Sequence, residues 1–105
     1  MRISRFFRLS GRQISRVLQK GTIQKGDCLM MHVLSDLPCG GAILVPNKIG
    51  NAVKRNRCKR SIRAAINENS SNMPKDKQIV FRPQNHIREF NFHIFARDID
   101  SFFSK

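Results

Sequence analysis

The segment from Lys48 to Arg63 restricts the fold more than any other part of the chain, because it carries seven basic residues and no acid. It lies in an acid-free stretch that runs from after Asp36 to before Glu68. Cations at this density repel one another, and none has the Glu partner one helical turn away that stabilises an isolated helix. The segment therefore needs an apolar side packed on a core and an anionic partner outside. The basic residues are Lys48, Lys54, Arg55, Arg57, Lys59, Arg60 and Arg63.

The same segment predicts a helix over 51–67. Asn51 is a suitable N-cap, and no Gly or Pro interrupts the chain as far as Asn67. At 100° per residue the helix has two distinct sides. The residues expected to pack on a sheet are Cys58, Ile62, Ala65 and Ile66. The neighbouring side, here called the basic stripe, consists of Asn56, Lys59, Arg60 and Arg63. Cations placed beside a sheet can line the wall of a groove that holds a nucleic-acid strand.

The whole chain is basic, with 20 Lys and Arg against 7 Asp and Glu in 105 residues and a formal charge of +13. This length predicts one domain, and a hydrophobic content of 40% predicts a small folded core rather than a disordered polycation. Clustered positive charge favours a polyanion, so nucleic acid is the leading partner. A membrane surface is the electrostatic alternative, but the basic segments lack the apolar face that insertion requires.

The sequence also indicates where in the cell the protein is located. It contains no apolar run near the roughly 18 to 20 residues that cross a bilayer, and no apolar signal core near its start. Three widely spaced cysteines without a Cys-x-x-Cys pair indicate reduced thiols. We therefore expect a soluble, cytoplasmic protein. A metal site drawn from Cys28, His32 and a distant third ligand matches no recurrent zinc spacing, so both are expected to be ordinary strand residues with no protein-held metal.

The remaining elements follow from periodicity and turn chemistry. Ser10 to Gln13 form a capping box, and Gly21 is expected to end the first helix in the left-handed conformation. Apolar runs at 29–34 and 42–45 are expected to pair as a hairpin, and 78–81 is a third strand. A terminal amphipathic helix covers 92–103. The order α-β-β-α-β-α predicts an α/β (α+β) two-layer sandwich, a short mixed sheet covered by helices. Residues 1–105 form one domain, with 1–9 as a mobile basic arm.

The sequence Lys-Ile-Gly-Asn-Ala-Val-Lys-Arg-Asn-Arg-Cys-Lys-Arg-Ser-Ile-Arg at 48–63 resembles the signature helix of the bacterial ribonuclease P protein subunit, including its Arg-Asn-Arg element. The basic start that ends in Arg8-Leu9, the helix end at 17–21 and the segment 76–83 are similar to the family too. The resemblance therefore covers nearly the whole chain. In this family a large RNA cleaves precursor tRNA to create the mature 5′ end, and the protein is its basic cofactor.

The resemblance implies a single RNA-binding domain with no catalytic residue of its own, in a holoenzyme that requires Mg²⁺. Its helix would contact the catalytic RNA and help organise metal ions near the cleavage site. The matching residues are Lys48, Lys54, Arg55, Asn56, Arg57, Lys59, Arg60 and Arg63. A cleft between the first helix and the sheet would hold the single-stranded 5′ leader of precursor tRNA. The matching residues there are Ile14, Val17, Leu18 and His32. No membrane and no small-molecule substrate is expected.

The sequence departs from the family at this cleft, because commonly aromatic positions hold Ile14, Leu18 and His32. Aromatic stacking contributes about 1 to 3 kcal/mol per base. Because these positions are not the usual aromatic residues, binding of the leader should depend more on charge and apolar contact. Two interpretations of His32 are equally consistent with the sequence: a contact with the leader, or a polar residue on the open side of a strand. The family also joins two parallel strands through its Arg-Asn-Arg helix by a left-handed crossover, although about 98% of such connections are right-handed.

Three other interpretations remain open at this point. A structural ribosomal RNA-binding protein would share the size, charge and small α/β build. A stand-alone nuclease would need a convergent set of acids, whereas the seven acids here are scattered along the chain. The Arg-rich, acid-free first 20 residues are also typical of a mitochondrial presequence, but their second half is counted as a helix of the domain.

Overall fold

A four-stranded mixed sheet organises the protein in the computed structural model, which describes residues 8–69, 74–87 and 90–103. The helices are α1 (Gly11–Lys20), α2 (Ala52–Glu68) and α3 (Phe92–Phe103), and a short 3-10 helix spans Asn47–Ile49. The strands are β1 (Thr22–Lys25), β2 (Leu29–Ser35), β3 (Gly40–Ile43) and β4 (Lys77–Pro83). The spatial order is β1-β2-β4-β3, with β3 parallel to β4 and the other two pairs antiparallel.

The strand pairing corrects two predictions. The predicted hairpin between the strands near 29–34 and 42–45 is wrong, because β4 lies between β2 and β3. Four consecutive residues of β4, Gln78 to Phe81, are buried, as expected for a central strand paired on both edges. The structure also contains a strand that was not predicted, β1. Its four residues are all exposed and include no apolar run that would predict a strand. The chain passes from β3 to the parallel β4 through α2. The left-handedness of that crossover stays a prediction.

The two faces of the sheet hold different cores. Side chains alternate along β2 and β4, so Leu29, Met31 and Phe81 pack in one cluster with α2 and α3. On the opposite face Val80 packs with Val17 of α1 and with Leu9. The predicted α/β fold is confirmed, with the sheet and the α2–α3 layer as its larger sandwich and α1 across the other face.

The predicted helix starts are confirmed in detail. Ser10 and Gln13 exchange the two hydrogen bonds of a capping box, and the Asn51 side chain accepts from the N–H of Lys54. The end of α1 differs from the prediction, because Gly21 is extended at φ −77° rather than left-handed. A Cβ at Gly21 would lie 2.6 Å from the carbonyl oxygens of Val17 and Val33. Glycine is therefore required there by close backbone approach.

The N-terminal segment is ordered further toward the start than predicted. Arg8 forms a parallel bridge with Gly41, and the N–H of Leu9 donates to the Gly41 carbonyl at 3.1 Å. Leu9 is also buried. The predicted arm over 1–9 is thus wrong for its last two residues, which extend the sheet at its β3 edge. Residues 1–7 lie outside the part of the chain that the structure describes.

The buried Asp98 carboxylate ties α3 to the turn between β1 and β2. Its oxygens accept hydrogen bonds from the backbone N–H groups of Asp27 at 3.2 Å, Cys28 at 2.7 Å and Leu29 at 2.8 Å. Charge-assisted bonds of this kind are stronger than neutral ones. A single side chain therefore satisfies three backbone donors and fixes the position of α3 on the sheet.

We expect Asp98→Ala to lower the free energy of unfolding by about 3 kcal/mol, because it leaves buried donors without an acceptor. Asp98→Asn keeps one acceptor oxygen and should cost less. Urea denaturation followed by circular dichroism measures both changes. The matched control is Asp27→Asn, which removes a charge from an exposed side chain of the same turn. Equal stability of Asp98→Ala and the control would show that the carboxylate has no such role.

Candidate nucleic-acid interface

The structure gathers the predicted cations at the surface of α2 and the 3-10 helix before it. Seven of the eight residues predicted to contact RNA are exposed. They are Lys48, Lys54, Asn56, Arg57, Lys59, Arg60 and Arg63. The eighth, Arg55, is half-buried. The opposite side of the helix is buried as predicted, at Cys58, Ile62, Ala65 and Ile66. α2 is therefore anchored by its apolar side while its charge faces outward.

Contacts of α2 with its neighbours set the direction of the basic stripe. The Ser61 hydroxyl donates to the carbonyl of Phe90 at 2.7 Å, just before α3 begins. At 100° per residue, the stripe lies about 100 to 160° around the helix from Ser61. The basic stripe is therefore on the side of α2 turned away from α3. This position leaves it open to a long polyanion.

The junction before α2 is held by Arg55 and Gly50. The Arg55 guanidinium donates through Nη1 to the Gly50 carbonyl at 2.7 Å. Gly50 has φ +149°, a backbone conformation that side chains disfavour, and a Cβ there would lie 2.8 Å from the Lys54 side chain. Arg55 differs from the other cations of α2, because it already has a structural partner that fixes how the 3-10 helix meets α2.

The predicted cleft residues also come together, on the face of the sheet that carries α1. Ile14 and Leu18 are half-buried and pack on the cluster that contains Val17 and Val80. His32 lies beside Val80 in the β2–β4 ladder. The structure corrects one contact, because Val17 is fully buried and offers no surface to RNA. Val17 instead seats α1 on the sheet, which leaves Ile14 and Leu18 at the edge of the cleft.

His32 is enclosed rather than open. Only 4% of its surface is exposed, so its interpretation as a polar residue on the open side of a strand is wrong. Neither ring nitrogen has a hydrogen-bond partner within the part of the chain that the structure describes. Burial, with a smaller contribution from nearby Arg82, lowers the pKa of His32 from its usual 6.5. The imidazole is therefore neutral at pH 7, and its unpaired nitrogens face the interior of the α1 side.

Two exposed apolar residues were missed by the sequence reasoning. Ile23 of β1 is 52% exposed and pairs with His32 in the sheet, so it lies on the same face at the rim of the cleft. Val53 is 70% exposed on the first turn of α2, beside the cations. Nothing in the sequence marked Ile23, because β1 itself was not predicted. The hydrophobicity of Val53 was hidden by the basic residues around it.

Metal-ligand clusters and membrane-spanning helices are absent from residues 8–69, 74–87 and 90–103. Within these ranges no three or more His, Cys, Asp or Glu side chains are grouped so that they could hold a metal ion. Within the same ranges, no helix has both the length and the apolar character to cross a membrane. Cys58 is buried in the α2 core, where desolvation raises the pKa of its thiol to about 11.

Comparison with known proteins decides the family. The family model described as Ribonuclease P matches residues 4–105. The chain belongs to this family. A curated relative, the ribonuclease P protein component of Coprothermobacter proteolyticus, is 32% identical over 77 residues, which are 72% of this chain and 65% of the relative. The ribonuclease P protein component of Shouchella clausii is 32% identical over 77% of this chain and 69% of its own length. The chain thus spans just under two thirds of the first of these relatives.

Solved structures of ribonuclease P proteins share the fold. The protein from Thermotoga maritima superposes with a TM-score of 0.77 at 21% identity, over 91% of this chain and 94% of its own. A Staphylococcus aureus ribonuclease P protein gives 0.74 at 19% identity, over 93% of each chain. At these identities the likeness establishes the α+β architecture.

The buried His32 predicts a pH dependence of stability. Because its pKa is lowered in the folded state, protons bind more readily to the unfolded chain, so stability is complete above about pH 6.5 and falls as the pH drops through that value. Urea unfolding at pH 7.5 and 5.5 should show this loss, and His32→Leu should reduce it. His93→Gln, which changes an exposed histidine of α3, should keep the wild-type dependence. The idea is wrong if His32→Leu and wild type lose equal stability.

Proposed function

We propose that this chain is the protein subunit of ribonuclease P, which binds the catalytic RNA and the 5′ leader of precursor tRNA and promotes removal of the leader. The observation that carries the proposal is the basic stripe, exposed on a helix that has no acid from Ala52 to Asn67 and whose apolar side is anchored in the core. Membership of the ribonuclease P family supports it independently. The relatives named above are bacterial proteins, and we place this one in the bacterial cytoplasm.

The chemistry assigned to the protein is electrostatic. Cations along α2 neutralise RNA phosphates and release their counterions, so RNA domains and substrate approach with less bulk Mg²⁺. In this proposal the polypeptide supplies neither a nucleophile nor a base, and the RNA catalyses the cleavage. Among the described residues no three or more His, Cys, Asp or Glu side chains are grouped as metal ligands, and the proposal gives the protein the role of charge neutralisation.

The second surface is the cleft beside α1. Ile14, Leu18 and Ile23 present half-buried or exposed apolar groups on one face of the sheet, as a flexible single strand requires for sequence-tolerant contact. Without aromatic rings at these positions, base stacking contributes little, and binding of the leader depends on apolar contact and nearby charge. His32 lies beneath this surface and shapes its floor.

The deciding experiment mixes the protein with a bacterial ribonuclease P RNA and a precursor tRNA, and measures 5′ cleavage at low magnesium. We expect strong activation that requires the RNA. Tight RNA binding without activation across several classes of ribonuclease P RNA would overturn the proposal in favour of a structural ribosomal role. Cleavage without added RNA would contradict it in another way, since the polypeptide would then carry a nuclease site.

Removal of two stripe cations tests the surface itself. Arg60→Ala with Arg63→Ala should weaken binding to the catalytic RNA by about tenfold or more, since two charge-assisted contacts are lost. The matched control is Lys75→Ala with Arg97→Ala, which removes the same charge from exposed positions outside α2. Filter binding at constant salt compares the two. Equal effects of both pairs would show that only net charge matters.

Salt dependence gives a second measure of the same surface. If about six phosphates are contacted, the logarithm of the affinity should fall against the logarithm of salt concentration with a slope of about −4 to −5. The Arg60, Arg63 double variant should have a slope shallower by roughly 2. A wild-type slope shallower than about −2 would contradict a surface centred on α2.

A further inference from the structure

A pocket on the other flank of α1 is not used by either surface described above. It has a volume of about 230 Å³ and is lined by residues from α1, from the segment before it, from the loop between β2 and β3, and from the start of β4. Along α1, Gln13 and Arg16 lie on one side of the buried Val17, and Ile14 and Leu18 lie on the other. The pocket and the leader cleft are therefore separated by the line along which α1 contacts the sheet.

Gln78, one of the residues that line this pocket, carries an unsatisfied and buried polar atom. Gln78 is only 3% exposed, and its side-chain Oε1 has no hydrogen-bond donor among the described residues. Buried amide oxygens in folded proteins are almost always paired, so an orphaned acceptor that lines a cavity indicates a missing donor. A ligand that enters the pocket can supply this donor through an N–H or O–H group. A phosphodiester cannot, because it has no O–H group at neutral pH.

The other lining residues indicate which further groups the ligand carries. Arg8 and Arg16 are exposed cations on its lining, and none of the eight lining residues is acidic. Gln13 already uses its Oε1 to accept from the N–H of Ser10, which leaves its amide NH₂ as a further donor. Leu37 and Pro38 provide an apolar wall. The pocket thus combines apolar contact, one buried acceptor and positive charge.

We propose that this pocket binds one unstacked nucleotide of single-stranded RNA, with the base inside and its phosphate on Arg8 and Arg16. The Gln78 side chain rotates so that its Oε1 accepts a hydrogen bond from an exocyclic amino group of the base, and the ring of the base packs on the wall formed by Leu37 and Pro38. The volume is below the about 300 to 1,000 Å³ of pockets for drug-sized ligands, so it suits a base with the sugar and phosphate outside. The base must be unpaired to enter. The inference rests on the proposed function, because it gives a third contact with the same class of partner.

The test uses mononucleotides as probes at constant ionic strength. Cytidine 5′-monophosphate is titrated into ¹⁵N-labelled full-length protein while the side-chain NH₂ resonances of glutamine are followed by NMR. We expect a saturable shift at Gln78, and a much weaker one with ribose 5-phosphate or inorganic phosphate. Ribose 5-phosphate that bound as tightly as the nucleotide would overturn the base-binding role.

Variants separate the pocket from general charge. Gln78→Leu should weaken binding of the nucleotide about three- to tenfold, as expected for one lost hydrogen bond. It should not lower the melting temperature, because it removes an unsatisfied buried group. Arg16→Gln should also weaken binding, whereas Arg12→Gln, the same change on the same helix outside the pocket, should not. Equal effects at Arg12 and Arg16, or none at Gln78, would overturn the proposal.

Alkylation of a cysteine that lines the pocket gives an independent test of whether the nucleotide occupies it. Cys39 lines the pocket, and its Sγ donates to the Pro74 carbonyl at 3.5 Å. The nucleotide should slow alkylation of Cys39 but leave that of half-buried Cys28 unchanged, since Cys28 lies beside Asp98 near the β1–β2 turn. Equal protection of both thiols, or of neither, would contradict occupation of the pocket.

The α2 double variant makes the two proposals distinguishable. Arg60→Ala with Arg63→Ala should leave mononucleotide binding unchanged while it weakens binding of the catalytic RNA. If Gln78→Leu has no effect on the nucleotide but the α2 variant loses RNA binding, only the pocket proposal fails. If nucleotide binding depends on Gln78 but ribonuclease P RNA is not activated, only the proposed function fails.

Discussion

The pairing of β4 between β2 and β3 is the constraint on which the rest of the structure depends. Seven residue pairs join β4 to β2, from Leu29–Pro83 to Ser35–Lys77, and the parallel pairing with β3 closes its other edge. Because β3 and β4 are parallel neighbours, the chain between them must travel the full length of the sheet, and α2 is the element that does so. The same strand supplies Phe81 to the core under α2, and Val80 and Gln78 to the face under α1. Both candidate RNA surfaces therefore take their positions from one strand.

The charge of α2 is tolerated because stability and binding use different sides of the helix. Its core residues are fully buried, and no charge partner within the helix offsets the repulsion along the stripe. Burial of an apolar side chain contributes about 1.5 to 3 kcal/mol, which is enough for a few such residues to outweigh repulsion between solvated charges. In the complex proposed above, RNA phosphates relieve that repulsion, and the helix is most stable there.

Elements with strong periodicity or capping chemistry could be predicted from the sequence, and elements defined by distant partners could not. α2, α3 and the cap at Ser10 follow from local spacing, and the structure confirms them. β1 has no local pattern and exists because β2 offers it an edge. The neighbour of β2 depends on β4, more than 40 residues later, so turn chemistry at 36–41 gave the wrong partner. The burial of Val17 and His32 depends on how α1 crosses the sheet. The environment of Gln78 depends on four separate segments of the chain. The exposed cations were predictable because burial of an unpaired charge costs too much hydration free energy, so these side chains must face water.

The Asp98 carboxylate has a consequence for the order in which the chain can fold. Its three donors lie 69 to 71 positions earlier in the sequence, and α3 follows every other described element. During synthesis from the N-terminus, the amides of the β1–β2 turn have no acceptor until α3 has left the ribosome, and β2 lacks its central neighbour for almost as long. Contacts of such long sequence separation slow folding. The basic segment at 48–63 therefore leaves the ribosome before the core can close, and completion of α3 is the step that ends this interval.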